Sequence, residues 1–326
     1  MKQRILSVDF VKFISIFLVV WCHVIEGIDT DGFWQNSVHH VIYSFHMPLF
    51  MLLSGYFSYS SLNKNWKEIF VSKFCQLILP TFLFYIIQEF ILYSLSFTLH
   101  ISHTYEPPFN AFWFLKCLFL CYIILYLSLK FKILLVSVIV LTLFPYIPWL
   151  VSFMYPYFVL GYLTHKIESK YHFLKKYVWI SIPFFAFCLY FWDSEYTIYN
   201  TPIKIIDYRT GTFDINNLYV TFYRFFIGLL GSLSVYFVIV KIYSSIKNLH
   251  IVHWMTSYGM YTMGIYLIHV ILVKVLKLIF NFSRMDEIYI DLISLILSIF
   301  FVFIVVKILN IVNKNKVSRL LLLDKK

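Results

Sequence analysis

Asp9, Lys12 and His23 stand inside the first apolar stretch of the chain, SVDFVKFISIFLVVWCHVIEG, and Glu26 lies near its end. Ionisable side chains at membrane depth are costly and are therefore candidates for function. Lys12 and His23 are eleven residues apart. At 100° per residue that is three turns plus about 20°, so both project from one face of a helix. Asp9 and Glu26 fall near the same stripe. The helical rise separates Lys12 from His23 by about 16 Å, roughly half the hydrocarbon thickness. A ligand that meets both must be long or must reach across the membrane. A neutral imidazole beside a carboxylate can take the proton of a hydroxyl, and Glu26, one turn beyond His23, is placed to orient and polarise it. The blander reading makes His23 a hydrogen-bonding partner of a neighbouring helix. In the same reading Lys12 pairs with Asp9 at i,i+3 or snorkels to the inner headgroups.

These residues must be positioned by a membrane bundle. The chain has 326 residues, is 61% hydrophobic and only 13% charged, and has a mean hydropathy of +0.79, a balance that excludes a water-soluble domain. Its apolar runs predict an all-α polytopic bundle of about ten transmembrane helices. They fall near residues 5–25, 38–60, 74–98, 111–129, 133–150, 151–165, 177–192, 218–240, 255–280 and 288–311, in a single integral-membrane domain over 1–326. MKQR leads into the first run without a small-residue cleavage site, so that span is expected to be retained. Eighteen lysines and arginines fall in MKQR, NKNWKEIFVSK, KFK, HKIESKYHFLKK, KIYSSIKN and the C-terminal tail; only Lys204, Arg209 and Arg284 fall in the alternate connections. By the positive-inside rule both termini are cytoplasmic. His23 then lies toward the outer end of the first helix, with Asp9 and Lys12 toward the inner end. The net charge of +11 is explained by this topology without nucleic acid.

The five cysteines lie in apolar runs without ligand spacing, so neither a disulfide framework nor a metal is expected. The second span, FHMPLFMLLSGYFSYS, carries Pro48 and Gly55, which permit a kink or a close backbone approach, and the polar Ser54 and His46. Arg224, near the outer end of its span, could contact a donor phosphate, an acceptor carboxylate or a lipid headgroup. Lys116 and His269 are candidates to line a cavity. Lys274 and Lys277 read as snorkelling residues or bundle contacts. The external segments HISHTYEPPFN and DSEYTIYNTPIKIIDYRTGTFDINN are expected to shape the choice of acceptor.

In order, these elements resemble the membrane-bound acyltransferase family 3, in its fucose 4-O-acetylase-like branch. D-x-x-[KR]-x10-H is met by Asp9, Lys12 and His23, and F-x-M-P-x-F-x-x-x-S-G-Y by Phe45, Met47, Pro48, Phe50, Ser54, Gly55 and Tyr56. WFL follows at Trp113, PYFVLGY at Pro156 to Tyr162, and G-x-x-[ST]-x-x-I-Y-L-x-H at Gly259 to His269. The resemblance implies that His23 is the essential histidine and that Lys12 occupies a position usually held by arginine. It also implies a cytoplasmic acyl-CoA donor and a glycan acceptor modified on the outer side. Gln76 stands where the family often has a second arginine. Lys12 and Gln76 are the departures that bear most on donor binding, because a lysine lacks the planar fork of an arginine.

On this reading the chain is an integral membrane O-acyltransferase, above all an O-acetyltransferase, of the cell (plasma or inner) membrane. It would move an acyl group from acetyl-CoA or another acyl-CoA to a hydroxyl of a cell-surface or lipid-linked glycan. His23, Glu26 and Asp9 are the catalytic candidates, with His23 as base or acyl carrier. Lys12, Lys73 and Arg224 are the candidates for the donor, and Ser54, Trp113, Lys116 and His269 for the substrate cavity; no metal is assigned. The rival reading is a non-catalytic transporter or flippase of lipid-linked oligosaccharide, which would have no particular need for Lys12 and His23 at this spacing. A glycan polymerase would want a larger external loop carrying several arginines.

Overall fold

The computed structural model describes residues 5–102, 105–144, 147–168, 178–207, 210–280 and 285–312. The chain is an all-α polytopic membrane bundle. Among the described residues, seven helical stretches are long and apolar enough to cross a membrane: Leu6–Ile28, Ser37–Ser58, Trp66–Leu99, Trp113–Lys130, Ile215–Ile246, His250–Ile279 and Glu287–Val312. The remaining three expected spans correspond to shorter or less apolar helices. These are Leu134–Leu143, Val151–Glu168 and Val178–Tyr190.

Element labels follow chain order: α1 (Leu6–Ile28), α2 (Ser37–Ser58), α3 (Trp66–Lys73), α4 (Leu79–Leu99), α5 (Trp113–Lys130), α6 (Leu134–Leu143) and α7 (Val151–Glu168) come first. Then follow α8 (Ser181–Tyr190), α9 (Ile215–Ile246), α10 (His250–Tyr258), α11 (Thr262–Ile279) and α12 (Glu287–Val312).

Two expectations need correction. NKNWKEIFVSK, read as a connecting loop, holds α3, which runs through a π-helical turn at Phe74–Ile78 into α4. The cause is an i,i+4 aromatic ridge: Trp66, Phe70 and Phe74 stack in succession, Phe70 and Phe74 meet Phe119 edge-on, and Trp66 meets Tyr126. That ridge packs the segment on α5, which the charge-based reading of the segment overlooked. Within the span expected over 133–150 the described helix is Leu134–Leu143, and Pro148 is not placed to continue a helical ladder. Trp149 and Leu150 adopt left-handed φ values of 60° and 57° before α7 begins. The ninth span lies within His250–Ile279 and runs through α10 and α11, joined by a 3-10 turn at Gly259–Tyr261. The long connection after α8 carries a two-residue antiparallel ladder, Ile206–Asp207 against Thr212–Phe213.

The chain forms two compact units, one from residues 1–42, 79–112 and 238–326, the other from 43–78 and 113–237. In the first, α1 is the central helix, packed by α10, α11 and α12. It is apolar around most of its circumference, as a helix enclosed on several sides must be. Gly259 makes this packing possible near the start of α1, since a Cβ there would collide with the carbonyl of Asp9. Trp21 Nε1 donates to Ser294 Oγ at 2.9 Å, tying α1 to α12.

In the second unit two glycines act reciprocally. A Cβ on Gly55 of α2 would meet the Phe158 carbonyl of α7, and one on Gly161 of α7 would meet the Leu52 carbonyl of α2. Small residues at such crossings let helix backbones touch, which is how helices gain packing where lipid offers no hydrophobic drive. The glycines of SGY and PYFVLGY thus serve the crossing itself. Tyr157, on the same helix, donates its hydroxyl to the carbonyls of Arg224 and Phe225, at 3.3 and 3.1 Å.

Candidate active site

His23 and Glu26 share one face of α1, separated by one turn. The His23 Nδ1 and Glu26 Oε2 atoms are 3.0 Å apart. An ionised carboxylate only accepts, so the imidazole donates through Nδ1 and a neutral His23 keeps its lone pair on Nε2. The His23 side chain is 31% exposed and that of Glu26 20%. The pair is therefore reachable yet largely withdrawn from solvent. This arrangement leaves a base whose tautomer is fixed by a carboxylate.

The other carboxylate oxygen is also engaged. His39 Nε2 lies 3.2 Å from Glu26 Oε1, and the His39 side chain is fully buried. His39 belongs to the first turn of α2, where the Asn36 Oδ1 accepts its backbone N–H at 2.8 Å. Asn36 in turn donates through Nδ2 to Asp291 Oδ1 at 2.7 Å, and the Ser37 N–H donates to Glu287 Oε1 at 2.6 Å. The start of α2 is thereby pinned to the start of α12. Phe33 and Trp34 close on the His39 ring edge-on, with centroids 5.1 and 5.4 Å away. Glu26 is held from both sides by two imidazoles whose positions are themselves fixed.

His39 escaped the sequence reading, although a signal for it exists. Glu26 and His39 lie the same number of residues from the middle of the connection between α1 and α2. In an antiparallel pair joined by a short loop, such residues sit at the same depth.

His269, in α11, is fully buried. Its ring lies 5.5 Å from that of His23, tilted by 32°. Nδ1 donates to the Ile265 carbonyl at 2.9 Å, which leaves Nε2 as a lone pair in the neutral ring. Nε2 has no hydrogen-bond partner among the described residues. Tyr266 packs beside it, and Phe112 beside Tyr266. The α11 histidine and the α1 histidine therefore belong to one cluster.

At the other end of the stripe Lys12 Nζ lies 3.4 Å from Asp9 Oδ1. Asp9 is brought to Lys12 at i,i+3, and not to His23, so its structural setting is that of a partner for the lysine. Among the described residues, Cys22, Glu26 and His39 have potential ligand atoms within 4.8 Å of one another, a set that could hold a metal ion. Glu26 Oε1 and His39 Nε2 also face each other at 3.2 Å. Lys274 forms an ion pair with Glu106, and Tyr85 donates to the Glu106 carbonyl at 2.9 Å; Lys274 is a bundle contact.

The other candidate residues belong to the second unit. Lys73 donates to Gln76 Oε1 at 3.2 Å and lies 4.0 Å above the Tyr122 ring. Lys116 is buried, with Nζ 5.5 Å from the centroid of Trp149. Ser54 is half-buried on α2 immediately before Gly55, and Trp113 is the half-buried first residue of α5, following the left-handed Phe112. Arg224 is buried and donates to the carbonyls of Tyr196, Thr197 and Thr201.

A polar cavity of about 460 Å³ opens in the first unit, among the connection after α1 and the start of α12. Asp29, Asp31, Gln35, Asn36 and Glu287 line it. Asn36 and Glu287 are the same residues that pin α2, so the cavity adjoins the histidine cluster through Asn36 and His39. Its described wall offers carboxylate and amide groups.

A family model described as an acyltransferase domain, acyltransferase 3, matches residues 5–310. A relative called nodulation protein NolL, from Mesorhizobium japonicum, is 28% identical over 232 residues, which is 64% of this chain and 62% of that protein. A second NolL, from Sinorhizobium fredii, is 28% identical over 234 residues, covering 64% and 63%. The chain thus spans less than two thirds of the length of these curated relatives. No solved structure matches it.

Proposed function

The chain belongs to the acyltransferase 3 family, and from that premise we propose that it is a membrane O-acyltransferase that uses His23 as general base. The observation that carries this reading is the Glu26 carboxylate gripped by His23 on one oxygen and His39 on the other. His23 Nε2 takes the proton of an acceptor hydroxyl while that oxygen attacks the thioester carbonyl of an acyl-CoA. The C–S bond then breaks, and the departing thiolate takes up the proton from the imidazolium. Glu26 stabilises the charge that appears on His23 during the step, and His39 keeps the carboxylate turned toward it. Positioning of this kind matters because a base must lie within hydrogen-bond reach of its proton.

The donor is acetyl-CoA or another acyl-CoA from the cytoplasmic side. Lys12 supplies positive charge for the nucleotide phosphates, while the extended pantetheine arm covers the distance to His23. The acceptor is a cell-surface or lipid-linked glycan, met on the outer side of the cell membrane. The polar cavity beside Asn36 supplies acceptors for sugar hydroxyls. Its acidic wall favours a neutral sugar or an amino sugar over an anionic one.

Membranes containing the chain, given acetyl-CoA radiolabelled in the acyl group and the host's glycan fraction, are expected to transfer label to glycan. His23→Ala at matched expression is expected to transfer none. Label that persists in the variant removes His23 from this role.

A further inference from the structure

The second unit contains a cavity that the acyl-transfer reading does not use. It encloses about 270 Å³ between the end of α6, the start of α7, the connection around Ile203 and the first turns of α9. This is near the low end of the ~300–1,000 Å³ typical of small-molecule sites. Phe153, Ile203, Phe222 and Phe225 give it an apolar wall. Two of its lining residues, Ser152 and Thr221, are only 4% and 6% exposed. The hydroxyl oxygens of both lack any hydrogen-bond partner among the described residues. A buried hydroxyl without a partner carries a desolvation cost that a ligand oxygen would remove.

Arg224, not itself a lining residue, stands one turn beyond Thr221 and is 2% exposed. Its guanidinium carbon is 5.8 Å from the ring centroid of Phe153, a wall residue. Nε and Nη2 donate to the carbonyls of Tyr196, Thr197 and Thr201, and Nη1 has no partner among the described residues. No carboxylate pairs with Arg224 among those residues. A buried guanidinium satisfied only by neutral carbonyls is an incomplete site, since a buried charge calls for an opposite one.

Depth and lining identify the occupant. The positive-inside reading puts the start of α9, the start of α7 and the end of α6 on the outer side, at the level of the outer headgroups. Two wall residues, Ile139 and Phe222, are about half exposed on the apolar flank, at 47% and 54%. The cavity therefore communicates with the bilayer. We propose that this cavity binds an anionic phospholipid of the outer leaflet, with one acyl chain against Phe153, Phe222 and Phe225. The phosphate is met by Arg224 Nη1, and Ser152 and Thr221 donate to its ester oxygens. Because the same guanidinium gathers three carbonyls of the long external connection, the lipid fixes that connection to α9.

The test is photolabelling of the full chain in detergent micelles by phosphatidylglycerol carrying a diazirine in its acyl chain, followed by peptide mapping. Cross-links are expected in segments 138–143, 151–156 and 218–225, competed by excess phosphatidylglycerol and roughly ten-fold less well by diacylglycerol, which lacks the phosphate. Arg224→Gln is expected to erase that preference. Thr221→Leu, an apolar change compatible with a membrane helix, is expected to fill the cavity and abolish labelling of these segments. Cross-links spread evenly over lipid-facing helices, or unchanged labelling in Thr221→Leu, would overturn the proposal. Full competition by inorganic phosphate would make the site one for a free anion, and would overturn it equally. Labelling requires no acyl transfer, so this result stands apart from the fate of the proposed activity.

Discussion

His23, Glu26 and His39 form a chain in which each member sets the state of the next. Glu26→Gln keeps the shape of the side chain but removes the charge that stabilises an imidazolium on His23. Transfer by this variant is expected to fall by roughly 100-fold or more, with acceptor binding little changed. Steady-state kinetics separates the two, and an effect confined to KM would place Glu26 in binding. Lys12→Gln is expected to do the reverse, raising the KM for the acyl donor more than that for the acceptor; equal increases would count against Lys12 as a donor ligand. His23 and Glu26 were legible because one helix carries both, and i,i+3 spacing is a local rule. His39 was not, since its contact with Glu26 crosses from α1 to α2. His269 was legible only as a motif position; its contact with His23 depends on how α11 packs against α1. Asp9 changed meaning for the same reason of proximity, as its carboxylate faces Lys12 one turn away.

At the level of elements, the glycine motifs turn out to be instructions for packing. Gly55 and Gly161 each face a carbonyl of the other's helix, with no room for a Cβ. Gly55→Leu must therefore move α2 from α7, and overpacking of this kind costs about 1–3 kcal/mol or more. Thermal unfolding in detergent is expected to show a lowered Tm and loss of monodisperse protein on size exclusion. An unchanged Tm would contradict the crossing. Hydropathy made the all-α membrane bundle legible because a span is a property of some twenty consecutive residues. Hydropathy and charge were poor at interruptions. The aromatic ridge from Trp66 to Phe74 extends a helix through a charged segment, and Gly259–Tyr261 divides an apolar run. Both depend on which neighbour a side chain meets, and composition does not record that.

Across the whole molecule, the central claim is that the donor enters from the cytoplasm and that His23 carries out the transfer toward the outer side. The proposed sidedness is read from the charge asymmetry of the connections; it assigns Lys12 to the inner part of α1 and His23 to the outer part. The measurement that tests it most directly uses sealed, right-side-out membrane vesicles loaded with radiolabelled acetyl-CoA and supplied with glycan acceptor outside. The account predicts label on the external glycan with the wild-type chain and none with His23→Gln at matched expression. Transfer by His23→Gln, or transfer that occurs only when acetyl-CoA is outside, would contradict it.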